Sequence, residues 1–442
     1  MWTILQKEDL NNFLNKHNEL KYFDKEFLLH EAEDYYILPR FFKQSFDFDK
    51  LNMHEDKNFV AETIDIEFKG ELRPYQKEGA EQLELKYNYD GEIKGLYKAH
   101  PGYGKTCVGA WATCMTKQKT LIILDNNILV EQWRDAYLKF TDLTEDDIGS
   151  FQGGTAELDK PVVITMVQTL IAKQKSGMKE WYAKIRDAGF GLVHYDEVHA
   201  TASGPRYALA SLFINTRNVI GWSATPYAHG INEILLTNCI GKLIYSAKEY
   251  ETVPTINFIK YNSGLGGKHS YRISKSADYV RMIAYYNSII WKSEQYLDKI
   301  YDVTAHLEKK GHCTLIIAST IKQIDAIVKH LKSKGLDAVP FHASKRELDR
   351  EKDRILVGTQ KFISKGFDYD ELSALVYACQ LKGRISLIQT IGRVLRRKPG
   401  KLDPEVYDLI DTAFGSTFVG TIMTKIKILK AEFGKGLKIN EN

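Results

Sequence analysis

The sequence predicts an α/β protein: two tandem parallel-sheet domains preceded by a small N-terminal accessory module. Three observations carry this. Strand-length apolar runs alternate with helix-like segments from residue 67 to about 246, the alternation resumes at Thr314, and a glycine-bearing loop joins a strand to a helix at residues 99–106. Such alternation marks parallel strands with helices on both sheet faces, whose ligands sit at the carboxyl ends of the strands. A chain of 442 residues also exceeds what one core accommodates.

Composition narrows the class. Hydrophobic residues at 44% and charged residues at 27% fit a globular protein in water. Lys and Arg number 61 against 57 Asp and Glu, so any basic surface must be local. Cys107, Cys114, Cys239, Cys313 and Cys379 show no Cys-x-x-Cys spacing, which argues against a zinc site and a disulfide framework. With no basic-then-apolar leader and no apolar run of spanning length, the expectation is a cytoplasmic protein without a membrane partner.

In chain order, residues 1–66 form the accessory module, with Leu10, Phe13 and Leu14 at helical spacing and Tyr35 to Phe42 as a strand and turn. Tyr36, Phe41 and Phe42, near Arg40 and Lys43, either fill a small core or stack on nucleic-acid bases. Residues 67–246 form the first large domain, with strands at Lys94–Lys98, Thr120–Leu124, Val162–Thr165, Leu192–Tyr195 and Val219–Trp222. Residues 247–442 hold a connector and the second domain. The connector begins irregularly, carries a glycine loop at Gly264, Gly266 and Gly267, and turns helical from about Ala277 to Lys309. Strands follow at Thr314–Ala318, Arg354–Val357, Ala374–Ala378 and Val406–Ile410. The tail places Ile422, Ile426 and Leu429 at helical spacing among Lys425, Lys427 and Lys430, a helix that either docks on the second domain or contacts nucleic acid.

The chemistry concentrates at strand ends. In Ala99-His100-Pro101-Gly102-Tyr103-Gly104-Lys105-Thr106, Gly102 and Gly104 let backbone N–H groups face phosphate oxygens, and the helix N-terminus adds its positive end. Lys105 reaches the β- and γ-phosphates and Thr106 offers a hydroxyl to Mg²⁺. Ala99 stands where the usual pattern has glycine. Asp196 and Glu197 follow the apolar strand at Leu192–Tyr195, the first suited to Mg²⁺ and the second to polarising the attacking water. Asn126, Asn127, Thr165, Gln168 and Thr320 are neutral polar residues at strand ends, where they can bond phosphates without reading sequence.

Five motifs in order, Arg73-Pro74-Tyr75-Gln76, Gly102 to Thr106, Asp196-Glu197-Val198-His199, Ser223-Ala224-Thr225 and Gln389 to Arg396, resemble those of superfamily-two helicases and translocases in the branch written DEVH. The resemblance runs from about Glu71 to Phe414 and is greatest to phage branch-migration helicases of the UvsW type. It implies two RecA-like domains, ATP with Mg²⁺, and host cytoplasm if the chain is phage-encoded. Gln76, with Arg73 nearby, would read the adenine edge. Ser223 and Thr225 would link the γ-phosphate to the strand-gripping surface, or serve as ordinary turn residues. Gln389, Arg393 and Arg396 would come from the second domain, with Arg393 and Arg396 as arginine fingers on one helix face. Gly366 and Asp368 would lie near the ribose and nucleic acid, and Thr359 on the phosphate backbone. The implied partner is DNA, branched or forked. The alternatives are an RNA-remodelling helicase, the motor subunit of a nuclease or restriction complex, and a non-catalytic scaffold that only binds ATP.

Overall fold

The computed structural model describes residues 3–6, 30–31, 35–38, 60–175, 184–185, 187–198, 216–226, 236–237, 240–247, 250, 252–267, 269, 279–342, 349, 352–360, 369–380, 383–396, 398, 400–434 and 436–441. The helical spacing expected at Leu10 to Leu14 lies outside them. The chain divides into two compact units, Met1–Ala247 and Lys248–Asn442.

In the first unit, β1 (Thr3–Gln6), β2 (His30–Glu31) and β3 (Tyr35–Leu38) form a small antiparallel sheet in the order β1-β3-β2. The main sheet contains β4 (Lys94–Lys98), β5 (Thr120–Leu124), β6 (Ile148–Gln152), β7 (Thr155–Ala156), β8 (Val162–Met166), β9 (Leu192–Asp196), β10 (Asn218–Ser223) and β11 (Leu243–Ser246). Their order is β11-β4-β10-β9-β5-β8-β6-β7, parallel except for the β6–β7 hairpin. Alternate residues feed two cores: Leu121, Ile123, Val163 and Val193 bury on one face, Ile122, Leu124, Ile164 and Trp222 on the other. A sheet covered on both faces must be apolar along nearly every residue, which is why these strands read as continuous runs.

Four helices position the site. They are α1 (Pro74–Asp90), α2 (Lys105–Thr116), α3 (Asn127–Phe140) and α4 (Val167–Lys175). Pro74 opens α1, where its missing N–H costs nothing, and Gly91 closes it at φ 70°. The segment before α1 belongs to this core: Ile66 is buried, Ile64 N–H donates to Lys117 O at 3.0 Å, and Lys119 N–H to Glu62 O at 2.8 Å.

The second unit is built on β12 (Thr255–Tyr261), β13 (Cys313–Ala318), β14 (Ala338–Phe341), β15 (Ile355–Thr359), β16 (Leu372–Tyr377), β17 (Glu405–Asp411) and β18 (Lys438–Glu441). All seven are parallel, in the order β14-β15-β13-β16-β17-β12-β18. Here the irregular connector expected after Lys248 is corrected: Thr255–Tyr261 is a full strand beside β17, with Ile256 and Phe258 buried. The helical stretch is two helices, α5 (Tyr279–Ile289) and α6 (Glu294–Lys309), separated by a tight 3₁₀ turn at Ile290–Lys292. Ser293 caps α6, its hydroxyl accepting from Tyr296 N–H at 3.1 Å and donating to Ser263 O at 2.7 Å. The remaining helices among the described residues are α7 (Ile321–Ser333), α8 (Arg384–Ile391) and α9 (Ser416–Phe433). α9 docks through Ile422, Ile426 and Leu429, and Lys425, expected among exposed lysines, pairs at 2.6 Å with buried Asp408 of β17.

Candidate active site

The cradle grows from the end of β4. Gly102 and Gly104 take φ 83° and 85°, left-handed backbone that glycine adopts without a Cβ penalty, and α2 begins directly after Gly104. Ala99 N–H extends the sheet by donating to Ser223 O at 3.0 Å, and Ala99 O accepts from Lys105 Nζ at 3.3 Å. A methyl group is therefore accommodated where glycine is usual: Ala99 is almost fully buried and continues the strand.

Gln76 braces this loop. Its Nε2 donates to Tyr103 O at 2.8 Å and Gly104 O at 3.4 Å, while its Oε1 accepts from Arg73 N–H at 2.9 Å. Tyr103 ties back in turn, its hydroxyl donating to Tyr75 O at 2.7 Å and lying 3.1 Å from Tyr97 Oη. Burial raises both phenols well above their usual range, so they stay neutral. Both ends of the Gln76 amide are thus engaged within the protein, and α1 and the cradle form one piece.

The carboxylate pair ends β9. β10 alone lies between β4 and β9, so the cradle and the pair share one sheet edge. Asp196 is buried, its Oδ1 accepting from Glu197 N–H and its Oδ2 from Trp133 Nε1, each at 2.8 Å. Burial, then the Glu197 charge, pushes Asp196 up to about 6, opposed by Lys105 and both hydrogen bonds. Glu197 stands at φ 48°, a backbone that costs a non-glycine residue about 1–2 kcal/mol. A carboxylate and the Thr106 hydroxyl are hard oxygen donors, and the positive charge of Lys105 lies close enough to act on Asp196, so these residues fit Mg²⁺ with a nucleotide phosphate.

Further along the same edge lie the polar strand ends. Asn126 caps α3, its Oδ1 accepting from Ile128 and Leu129 N–H at 3.0 and 3.1 Å. Exposed Gln168 donates to Asp125 O at 2.9 Å, and exposed Asn127 accepts from Gln152 Nε2 at 3.1 Å. Thr165 is buried and donates to Phe151 O at 2.7 Å. Ser223 and Thr225 are also buried, Ser223 Oγ accepting from Thr225 N–H at 3.1 Å, so their hydroxyls face the interior of the unit.

In the second unit, Thr320 caps α7, its hydroxyl accepting from Gln323 N–H at 3.2 Å, just beyond the end of β13. Thr359 ends the neighbouring strand, in register with Ala318. Gly366 and Asp368 lie outside the described residues. Gln389 sits in α8, but Arg393 and Arg396 do not share a helix face as expected. α8 ends at Ile391, Arg393 and Val394 N–H groups close tight turns onto Thr390 and Ile391, and the released chain buries Val394 and Leu395. Arg396 Nη1 lies 3.4 Å from Asp370 Oδ1, Lys398 pairs with Glu371, and Lys401 donates to Arg396 O. Burial lowers Arg396 to about 10, still a cation at neutral pH.

Sequence reasoning missed Tyr103 and Trp133. The only available signal was an aromatic residue inside the loop and one on the buried face of α3.

A phosphate cradle and a carboxylate pair on one sheet, followed by a second parallel sheet, define a class: a tandem RecA-like, helicase-type fold. Residues 69–228 match the family described as "Type III restriction enzyme, res subunit". The chain is 26% identical over 331 residues to "Probable helicase D10" of Escherichia phage T5, covering 71% of this chain and 67% of that protein. It is 28% identical to "DNA 3'-5' helicase XPB" of Kineococcus radiotolerans, covering 76% of this chain and 59% of that one. It is 24% identical to "ATP-dependent DNA helicase uvsW" of Enterobacteria phage T4, covering 67% and 60%. The chain thus spans roughly three-fifths to two-thirds of these relatives. Saccharomyces cerevisiae Dbp5 bound to RNA and ADP BeF3 shares the fold, with a TM-score of 0.57 at 12% identity over 84% of this chain and 94% of that one. The chain is thus similar to helicases along most of its length, and residues 69–228 carry the domain that matches the family model. Among the described residues no helix is long and apolar enough to cross a membrane.

Proposed function

We propose that this protein is an ATP-driven DNA helicase or translocase that remodels branched DNA, such as forks and four-way junctions, in recombination, repair or replication. The observation that carries the reading is the shared strand-end edge of the first unit, where the cradle, the Asp196–Glu197 pair and the row of Asn126, Asn127 and Gln168 follow one another along β4, β9, β5 and β8. ATP is held by Lys105 and the backbone of Gly102 and Gly104, with Arg73 and Gln76 on the adenine side. Thr106 and Asp196 would hold Mg²⁺, which would supply charge neutralisation to the bound nucleotide. Glu197 takes a proton from the attacking water. Arg393 and Arg396, with Gln389 just before them in the chain, are the second unit's arginine-finger group, and the planar, always-charged forks of the two arginines suit phosphate oxygens.

Asn126, Gln168, Thr320 and Thr359 contact the phosphodiester backbone. Ser223 and Thr225, buried behind the cradle, transmit between nucleotide and strand, as Thr165 does from β8. Gly366 and Asp368 are assigned beside the ribose. Alternate gripping by the two units during an ATP cycle converts hydrolysis into movement along one strand.

The match to a restriction-enzyme subunit family supports a second reading, the motor of a nuclease or restriction complex. Unwinding of a four-way junction, a fork and a linear duplex, together with ATPase stimulation by DNA and RNA, separates these readings. Junction preference with DNA stimulation is expected. Equal activity on linear duplex contradicts the branched-DNA role, and dominant RNA stimulation contradicts DNA as the partner.

A further inference from the structure

A buried aromatic cluster underlies the carboxylate pair and belongs to none of the nucleotide-binding motifs. Trp133 sits in the second turn of α3 with no exposed surface. Its ring stacks on His194 at 5.3 Å and meets Trp222 edge-on at 6.4 Å. It also fills the space beside Gly109 of α2, where a Cβ would come within 2.5 Å of the indole. The ring therefore has no freedom to turn. Its one polar atom is donor-only, and that N–H meets Asp196 Oδ2 at 2.8 Å.

Asp196 Oδ1 is fixed by the backbone N–H of Glu197 at 2.8 Å, so both carboxylate oxygens have a rigid donor. Each oxygen keeps a further lone pair for a metal or its water. Trp222 provides the contrast. It is equally buried, but its N–H goes to His194 Nδ1 at 3.1 Å, a neutral acceptor because burial lowers that histidine to about 3.

We propose that Trp133 is a positioning residue for the metal-holding carboxylate: its indole N–H, delivered by α3, sets the orientation in which Asp196 meets Mg²⁺. The inference rests on the reading of Asp196 as a Mg²⁺ group. It also gives α3 two ends with different tasks, since the helix starts at the Asn126 cap among the strand-end amides and reaches the carboxylate two turns later.

The test titrates Mg²⁺ against binding of a fluorescent ATP analogue to the full chain, its W133F variant and its W222F variant. Removing an outer-shell hydrogen bond typically costs 10–100-fold in metal affinity. W133F is expected to raise the Mg²⁺ needed for half-maximal binding by about tenfold or more, with binding in EDTA unchanged. W222F removes an indole N–H from the same cluster and is expected to stay within about twofold of the unsubstituted chain, because its partner is a histidine and not the carboxylate. Equal behaviour of the two variants overturns the proposal. If the unsubstituted chain binds no nucleotide with Mg²⁺, the ATP reading fails and this inference with it; normal Mg²⁺-dependent binding untouched by W133F defeats the inference alone. Should W133F fail to fold, ¹⁵N-indole labelling of the unsubstituted chain replaces it. The Trp133 indole proton, assigned by elimination from substitutions of the other five tryptophans, is expected to shift when Mg²⁺ joins the ATP complex, and a silent resonance overturns the proposal.

Discussion

Replacing Gly104 with alanine probes the cradle at its tightest point. The residue stands at φ +85°, and an added Cβ would lie 2.4 Å from Gln76 Nε2. The backbone strain costs about 1–2 kcal/mol. Gln76 ends a flexible side chain, but it is buried and both ends of its amide are bonded, so moving it breaks its hold on Tyr103 O and Gly104 O. A buried polar group left unsatisfied costs about 1–3 kcal/mol more. The sum for G104A is about 2–5 kcal/mol of stability. Because the displaced groups form the phosphate loop, ATP binding should weaken at least about tenfold, the equivalent of 1.4 kcal/mol. Gly153→Ala is the control: its φ is +59° with nothing within 4 Å of the new Cβ, so it carries the strain alone and lies away from the cradle. Denaturant unfolding and ATP titration on both variants decide the matter. If G104A and G153A lose equal stability and bind ATP alike, Gln76 does not brace the loop.

Three further outcomes follow from the same geometry. Asp196 is raised from 3.8 to about 6, so the folded state holds the extra proton between those values and stability falls as pH rises through them. In metal-free buffer, Asp196→Asn should therefore gain about 1.4 kcal/mol relative to the unsubstituted protein between pH 5 and pH 7.5, read from paired unfolding curves, and a pH-independent difference would count against it. Lys425→Met leaves the buried Asp408 carboxylate alone and should cost about 3–5 kcal/mol in thermal unfolding, most of it recovered when Asp408→Leu is added. Arg396→Ala should lower nucleic-acid-stimulated ATP turnover by about 10³-fold while ATP binding persists; near-normal turnover would remove Arg396 from the reaction.

What was legible in the sequence was mostly local. The run Thr120–Leu124 became a strand with the expected bounds because a sheet covered on both faces demands unbroken apolar residues, and Lys94–Lys98, where only Leu96 and Tyr97 are large and apolar, was marked instead by the glycine loop it feeds. The cradle was equally plain, since glycine, lysine and threonine act there through neighbouring backbone. Thr255–Tyr261 was hidden because Asn257 and Lys260 interrupt its apolar pattern, and only β17 and β18 on either side make it a strand. The tight turn after Ile391 was likewise decided by packing of Val394 and Leu395, which spacing alone does not report. The bond from Trp133 to Asp196 joins residues 63 apart, and spacing along the chain does not report it.

The central claim is that ATP held at Lys105 is hydrolysed in response to nucleic acid. Its most direct test is steady-state ATP turnover by the purified chain and its Lys105→Ala variant, with and without single-stranded DNA. Turnover that rises with DNA in the unsubstituted chain and vanishes in the variant is the predicted result. A chain that hydrolyses no ATP with any polynucleotide, or a variant that hydrolyses it undiminished, would contradict the account.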